Sequence, residues 1–215
     1  MAFAAHRGDI VETPIAHSLA FRTRRFQNWF FLGLMYAFFY MSRYNFSAVQ
    51  AAVAEHFGWS YTDYGAILSA GLLTYGCSVF LNGPLADRIG GKRAILIGAA
   101  GAAVFNLLFG LGHLMVRTPA VVESGRVVHP AEMAFGMTGS TVIAAFAVLW
   151  ACNHYFQSFG ALSIVKINAS WFRIRERGSF AGIFGAMIQA GRMLAFLLLP
   201  LSLRFLDWQY AFFIP

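Results

Sequence analysis

Residues 94–116 read AILIGAAGAAVFNLLFGLGHLMV, without one Asp, Glu, Lys or Arg. A helix rises about 1.5 Å per residue, so this run can cross the roughly 30 Å hydrocarbon layer of a bilayer, where a helix satisfies its own backbone N–H and C=O groups. Four further apolar runs fall at 28–53, 64–80, 135–165 and 178–201, and a sixth opens near Gln209 and extends to Pro215. With 59% hydrophobic and 12% charged residues, the chain holds more apolar surface than a soluble core of 215 residues could hide. The expected fold class is all-α: a polytopic membrane protein, preceded over 1–27 by a polar tail.

The net charge of +7 does not point to nucleic acid, because the basic residues alternate by loop. Arg7, Arg22, Arg24 and Arg25 fall on one side with Arg88, Lys92 and Arg93 and with Lys166, Arg173, Arg175 and Arg177. Arg117, Arg126 and Arg204 fall on the other. This is the positive-inside asymmetry, and it predicts a cytoplasmic N-terminus in a cell (inner) membrane with helices 1, 3 and 5 running outward. Cys77 and Cys152 sit in apolar runs with no pairing pattern and read as packing residues. The histidines have no ligand spacing, so neither a metal nor a cofactor is expected. No run joins a nucleophile, a base and an orienting acid, so an enzyme is not expected either.

Between the second and third runs the chain reads NGPLADRIGGKRAIL, over 82–96. Gly83 lets two helix ends approach, Asp87 suits a helix dipole or a basic partner, and Arg88 and Lys92 suit an anionic leaflet. Gly83, Leu85, Ala86, Asp87, Arg88, Gly90 and Lys92 resemble the signature loop of the major facilitator superfamily. A second segment, WFRIRERGSFAG over 171–182, resembles the one that opens helix 5 in the organophosphate:phosphate antiporters, including the glycerol-3-phosphate and hexose-phosphate transporters, and in related anion:cation symporters. With YMSRYNF and YFQSFG, the likeness covers about 26–215. It implies the N-terminal half of a twelve-helix carrier: three helices plus three in inverted repeat, helix 6 cut short, the C-terminal half absent. It also implies conformational gating by Gly83, Asp87, Arg88, Gly90 and Lys92.

Arg43 is the residue that composition does not explain. A charge at mid-bilayer costs at least about 2.5 kcal/mol, so an intramembrane arginine faces a bundle interior or a wet cavity. Tyr36, Tyr40, Arg43, Ser47 and Gln50 recur at helical spacing as one polar stripe. Tyr75, Gln189 and Arg192 are expected to meet it from helices 2 and 5. No Asp or Glu lies within the runs, so Arg43 is available to an anion from outside, and its planar fork suits phosphate or carboxylate.

The resemblance implies the same: a helix 1 arginine on the substrate phosphate with tyrosines beside it, at Arg43, Tyr36, Tyr40 and Tyr75. It also fails in places, since Tyr44, Val79 and Ile188 stand where those transporters often have lysine, lysine and histidine. The expected substrate-binding set is thus Arg43, Tyr36, Tyr40, Tyr75, Gln189 and Arg192. The expected function is alternating-access exchange of a small organic anion, with the lipid bilayer and the absent half as partners. A carboxylate symporter and a transporter-like receptor for a sugar phosphate are the alternatives. His154 and Gln157 are expected near the cytoplasmic end of helix 4, His154 with a weak claim to relay protons. Lys166 is expected to snorkel, and Gly182, Gly185 and Gly191 to pack helices closely.

Overall fold

The computed structural model describes residues 17–215 except Gly125, and leaves the side chain of Arg175 undescribed. Arg7 lies outside the described residues. Five long helices dominate: α1 (Leu19–Ala48), α3 (Tyr61–Ile89), α4 (Gly91–Gly110), α5 (Gly139–Trp171) and α6 (Ile174–Ser202). Two short ones, α2 (Gln50–Phe57) and α7 (Tyr210–Phe213), complete the set. The expected runs are all present with shifted bounds. Ser18 caps α1, its side chain accepting from the Phe21 N–H, so helix begins inside the polar tail.

Four segments, at Tyr61–Ile89, Gly91–Met115, Gly139–Trp171 and Glu176–Ser202, are long and apolar enough to cross a membrane. α1 is as long but is not among them, because its tyrosines, asparagines and arginines lower its hydropathy.

Both motifs expected as loops are largely helix. α3 continues through Pro84 to Ile89, and Gly90, at φ +84°, makes the turn into α4. Gly83 faces open space rather than a second helix end, which removes its expected packing role. At the second motif only Phe172 and Arg173 separate α5 from α6, and Glu176 accepts the Arg173 N–H at 3.2 Å as part of a capping box.

In chain order the helices form two triplets, α1, α3 and α4 before the strands and α5, α6 and α7 after them, and the main contacts run between the triplets. α5 lies against α3 and α4, while α1 lies against α6, so each triplet's first helix packs on the second helix of the other. The α1–α6 contact depends on Gly191, where a side chain would land on the Ala37 carbonyl. Gly182 and Gly185 have no such neighbour, so the close-packing role expected of them does not hold. One aromatic core gathers Phe46, Phe57, Phe109, Phe146, Trp150 and Phe212. A second cluster, including Tyr36, Phe39, Ile95 and Phe184, lies nearer the other end of α1.

Two buried asparagines fasten the last helix. Asn45 Nδ2 donates to Asn106 Oδ1 at 2.9 Å and to the Ala211 carbonyl at 3.3 Å, and Asn106 Nδ2 donates to the Phe212 carbonyl at 2.7 Å. Pro215 has no N–H to send back to Ala211, and the Asn45 amide supplies that donor instead.

The connection from α4 to α5 departs most from expectation. Instead of apolar helix from 135, the chain builds two short antiparallel ladders, β1 (Val116–Thr118) with β4 (Glu132–Met133) and β2 (Val121–Glu123) with β3 (Arg126–His129). Phe135 adopts φ +59° before α5 starts at Gly139.

Candidate functional site

The basic end of the bundle carries the starts of α1, α4 and α6 and the ends of α3 and α5; the strands mark the opposite end. At the basic end, two of the cations have acidic partners. Arg25 Nη1 lies 3.2 Å from Glu176 Oε2, and its guanidinium stands 4.9 Å from the Phe172 ring centroid and 5.8 Å from that of Phe180. Lys166 pairs with Asp87. This gives Asp87 the basic partner expected of it, and Lys166 reaches it from a half-buried stem. Arg88, Gly90 and Lys92 are exposed beside that pair.

Midway along the bundle the arrangement is different. The guanidinium carbon of Arg43 lies 4.8 Å from the Tyr40 ring and 4.4 Å from the Tyr75 ring, the cation–π geometry of a charge held between aromatic faces. Tyr36 is buried behind Tyr40, ring centroids 5.2 Å apart. Arg43 Nε donates to Gln157 Oε1 at 2.8 Å. Gln157 in turn donates to Asn153, and Asn153 Nδ2 donates to the Ala102 carbonyl at 2.8 Å. A chain of amides thus fixes the guanidinium to α5 and α4.

What remains of the fork is unmatched. Nη2 is covered and has no hydrogen-bond partner, and Nη1 makes none to protein among the described residues. An interior donor left unpaired costs about 1–3 kcal/mol, more when charged, and an anion's oxygens would recover that cost. Neither ion pair among the described residues involves Arg43.

Tyr36, Tyr40, Arg43 and Tyr75 therefore come together as the helical stripe predicts. Gln189 and Arg192 are exposed on α6 and, among the described residues, make no hydrogen bond to any of them. Arg192 lies over the Tyr44 ring at 5.1 Å, and Tyr44 stands 6.2 Å from Tyr40, so an aromatic row separates the two arginines. Gln157 is at the heart of the site, level with Arg43, not near the end of its helix. The polar pair Asn153 and Gln157, one turn apart and both buried, was the signal available for it. His154 is buried with Nδ1 at 3.0 Å from the Trp150 carbonyl and its ring 6.5 Å from that of Tyr75.

The profile of the Major Facilitator Superfamily matches residues 32–215. The chain belongs to that superfamily. Among its relatives, the membrane sensor protein UhpC of Escherichia coli (strain K12) is 25% identical over 82% of this chain and 34% of that protein. The probable hexose phosphate transport protein of Chlamydia trachomatis is 25% identical over 86% of this chain and 34% of that protein. The glycerol-3-phosphate transporter of Bacillus subtilis is 27% identical over 91% of this chain and 39% of that protein. The chain spans about a third of the length of the relatives it matches. It is a multi-pass membrane protein of a transporter family, with the fold expected from its apolar runs.

Proposed function

We propose that the chain forms the anion-holding part of a secondary carrier that moves a small organic phosphate by alternating access. The observation that carries this is Arg43: a guanidinium clasped by Tyr40 and Tyr75, held at Nε by Gln157, with no carboxylate on its other nitrogens among the described residues. A planar fork whose orientation is already fixed loses little entropy when it meets a phosphate or carboxylate. The names of the hexose phosphate and glycerol-3-phosphate relatives favour phosphate. Arg192 beyond Tyr44 offers a second cation for the same anion once helices shift. The Asp87–Lys166 pair, with Gly83, Arg88, Gly90 and Lys92 on the same connection, serves as a gate at the basic end, which we place in the cytoplasm on the charge asymmetry.

Guanidinium stays protonated at physiological pH, so charge balance falls to exchange of one anion for another. In liposomes the carrier should exchange inorganic phosphate for glycerol 3-phosphate without an imposed pH gradient, and His154→Gln should leave the rate within about threefold, under about 1 kcal/mol. Flux that needs a proton gradient, or stops with His154→Gln, would move the symporter reading to first place.

The likeness to the membrane sensor supports a second reading, a receptor that binds the same anion. Phosphate binding without any flux would select it.

A further inference from the structure

Where the starts of α1 and α6 lie side by side at the basic end, they enclose a recess of about 270 Å³. From α1 it takes Arg22, Arg25, Phe26 and Trp29, which recur at i, i+3, i+4 and i+7 and so share one helix face. The opposite wall is Phe172, from the turn before α6, and Phe180. The apolar span of α6 opens at Glu176, the partner of Arg25, so the recess straddles the level at which α6 enters the membrane. Its arginines stand at that level, and Ile183, which also lines it, lies two turns or roughly 10 Å deeper.

The two arginines are in different states. Arg25 is neutralised by Glu176, and its guanidinium covers the Phe172 and Phe180 rings. Arg22 is exposed, and neither ion pair among the described residues involves it. Two guanidiniums against one carboxylate leave a single positive charge on the rim of an aromatic pocket. A quaternary ammonium, which would need the ring faces, is kept off by the guanidinium already lying on them. An anion with an apolar body meets no such obstacle: Phe26 and Ile183 are both exposed, and Phe26 stacks on the exposed Phe30 one turn deeper, ring centroids 5.8 Å apart.

We infer that this recess binds an anionic phospholipid, its phosphodiester on Arg22 and one acyl chain over Phe26 and Ile183. A basic pocket between helices at the anionic face of a bilayer draws such headgroups by charge, and aromatic side chains at that level sit well among them. Because Arg25 is satisfied within the protein, a bound lipid leaves the tie between α1 and α6 intact. The site is separate from Arg43 and holds whether the protein transports or only binds.

The test is titration of the chain in mild detergent with dioleoyl phosphatidylglycerol or dioleoyl phosphatidylcholine, the first bound lipid being read by native mass spectrometry. Phosphatidylglycerol should bind about fivefold or more tighter, the factor expected of one arginine beside an anionic headgroup. Arg22→Gln should bring phosphatidylglycerol down to the phosphatidylcholine level and leave phosphatidylcholine as it was. Ile183→Trp, which fills the deep part of the recess without touching a charge, should weaken phosphatidylglycerol as well. Arg93→Gln, at an exposed arginine on the same end of the bundle, should change neither lipid. Excess inorganic phosphate should not displace the lipid. Equal binding of the two lipids, a loss with Arg93→Gln that matches Arg22→Gln, full binding by Ile183→Trp, or displacement by phosphate overturns the inference.

Discussion

Arg25 and Arg43 stand on the same helix, and both guanidiniums lie against two aromatic rings. Arg25 has Glu176 within 3.2 Å; Arg43 has an amide oxygen at 2.8 Å on one nitrogen and, among the described residues, no hydrogen-bond partner on the others. The first arrangement is complete. Its charge is neutralised by the protein itself, and it ties the start of α1 to the start of α6. The second is complete on one edge only, which orients the fork without neutralising it. Aromatic clasping is therefore not what distinguishes the binding candidate from the structural one. The distinction lies in whether a carboxylate is within reach.

The comparison breaks most visibly if a carboxylate is supplied to Arg43. Gln157→Glu places one on the atom that already touches Nε, converting the second arrangement into the first. Phosphate binding by the reconstituted protein, measured by titration calorimetry, should fall below detection, while the lost donation from residue 157 to Asn153 offsets the stability gained from the new ion pair. Next, Arg43→Lys keeps the charge and removes the fork; the loss of a charge-assisted bidentate contact, about 1.5–3 kcal/mol, should weaken phosphate roughly 10- to 100-fold. Equal binding by that variant would mean a point charge suffices.

At the basic end the expected effects are on stability, not on ligand. Arg25→Ala should lower stability by about 1–2 kcal/mol through lost cation–π contact and the ion pair together, with phosphate affinity unchanged. Asp87→Asn should cost still less, at most about 1 kcal/mol, because that pair is largely open to solvent. Its sign would appear in the rate of the transport cycle, not in affinity. A drop in phosphate affinity with either change would merge two regions that the structure keeps apart.

The helices were legible because spans of this length and polarity have few other stable states in lipid, and the stripe from Tyr36 to Gln50 was legible because a helix repeats every 3.6 residues. Tyr75 joined it as predicted, since a polar aromatic on the neighbouring helix had one wet surface to face. Gln157 was misplaced because nothing local marks depth: its partner Arg43 comes from a distant helix, and only tertiary packing sets the two level. The segment 82–90 misled for a different reason. Gly83 was read as a meeting point of two helix ends, whereas α3 runs on through Gly83 and Pro84 and turns only at Gly90. The strands over 116–133 escaped notice because runs such as Val121–Glu123 are too short to show a period, and the pairing depends on the support of α2 beneath.

The asparagine clamp on α7 has a thermodynamic consequence. Asn45 and Asn106 could pair with each other when α1 meets α4, yet the amide hydrogens left over would be stranded in an apolar interior until the carbonyls of Ala211 and Phe212 arrive. Contact between α1 and α4 and docking of the last helix are thus one cooperative step, each leaving polar groups unsatisfied without the other. The clamp also grips main chain alone, so it constrains where residues 211 and 212 sit and is indifferent to which side chains they carry.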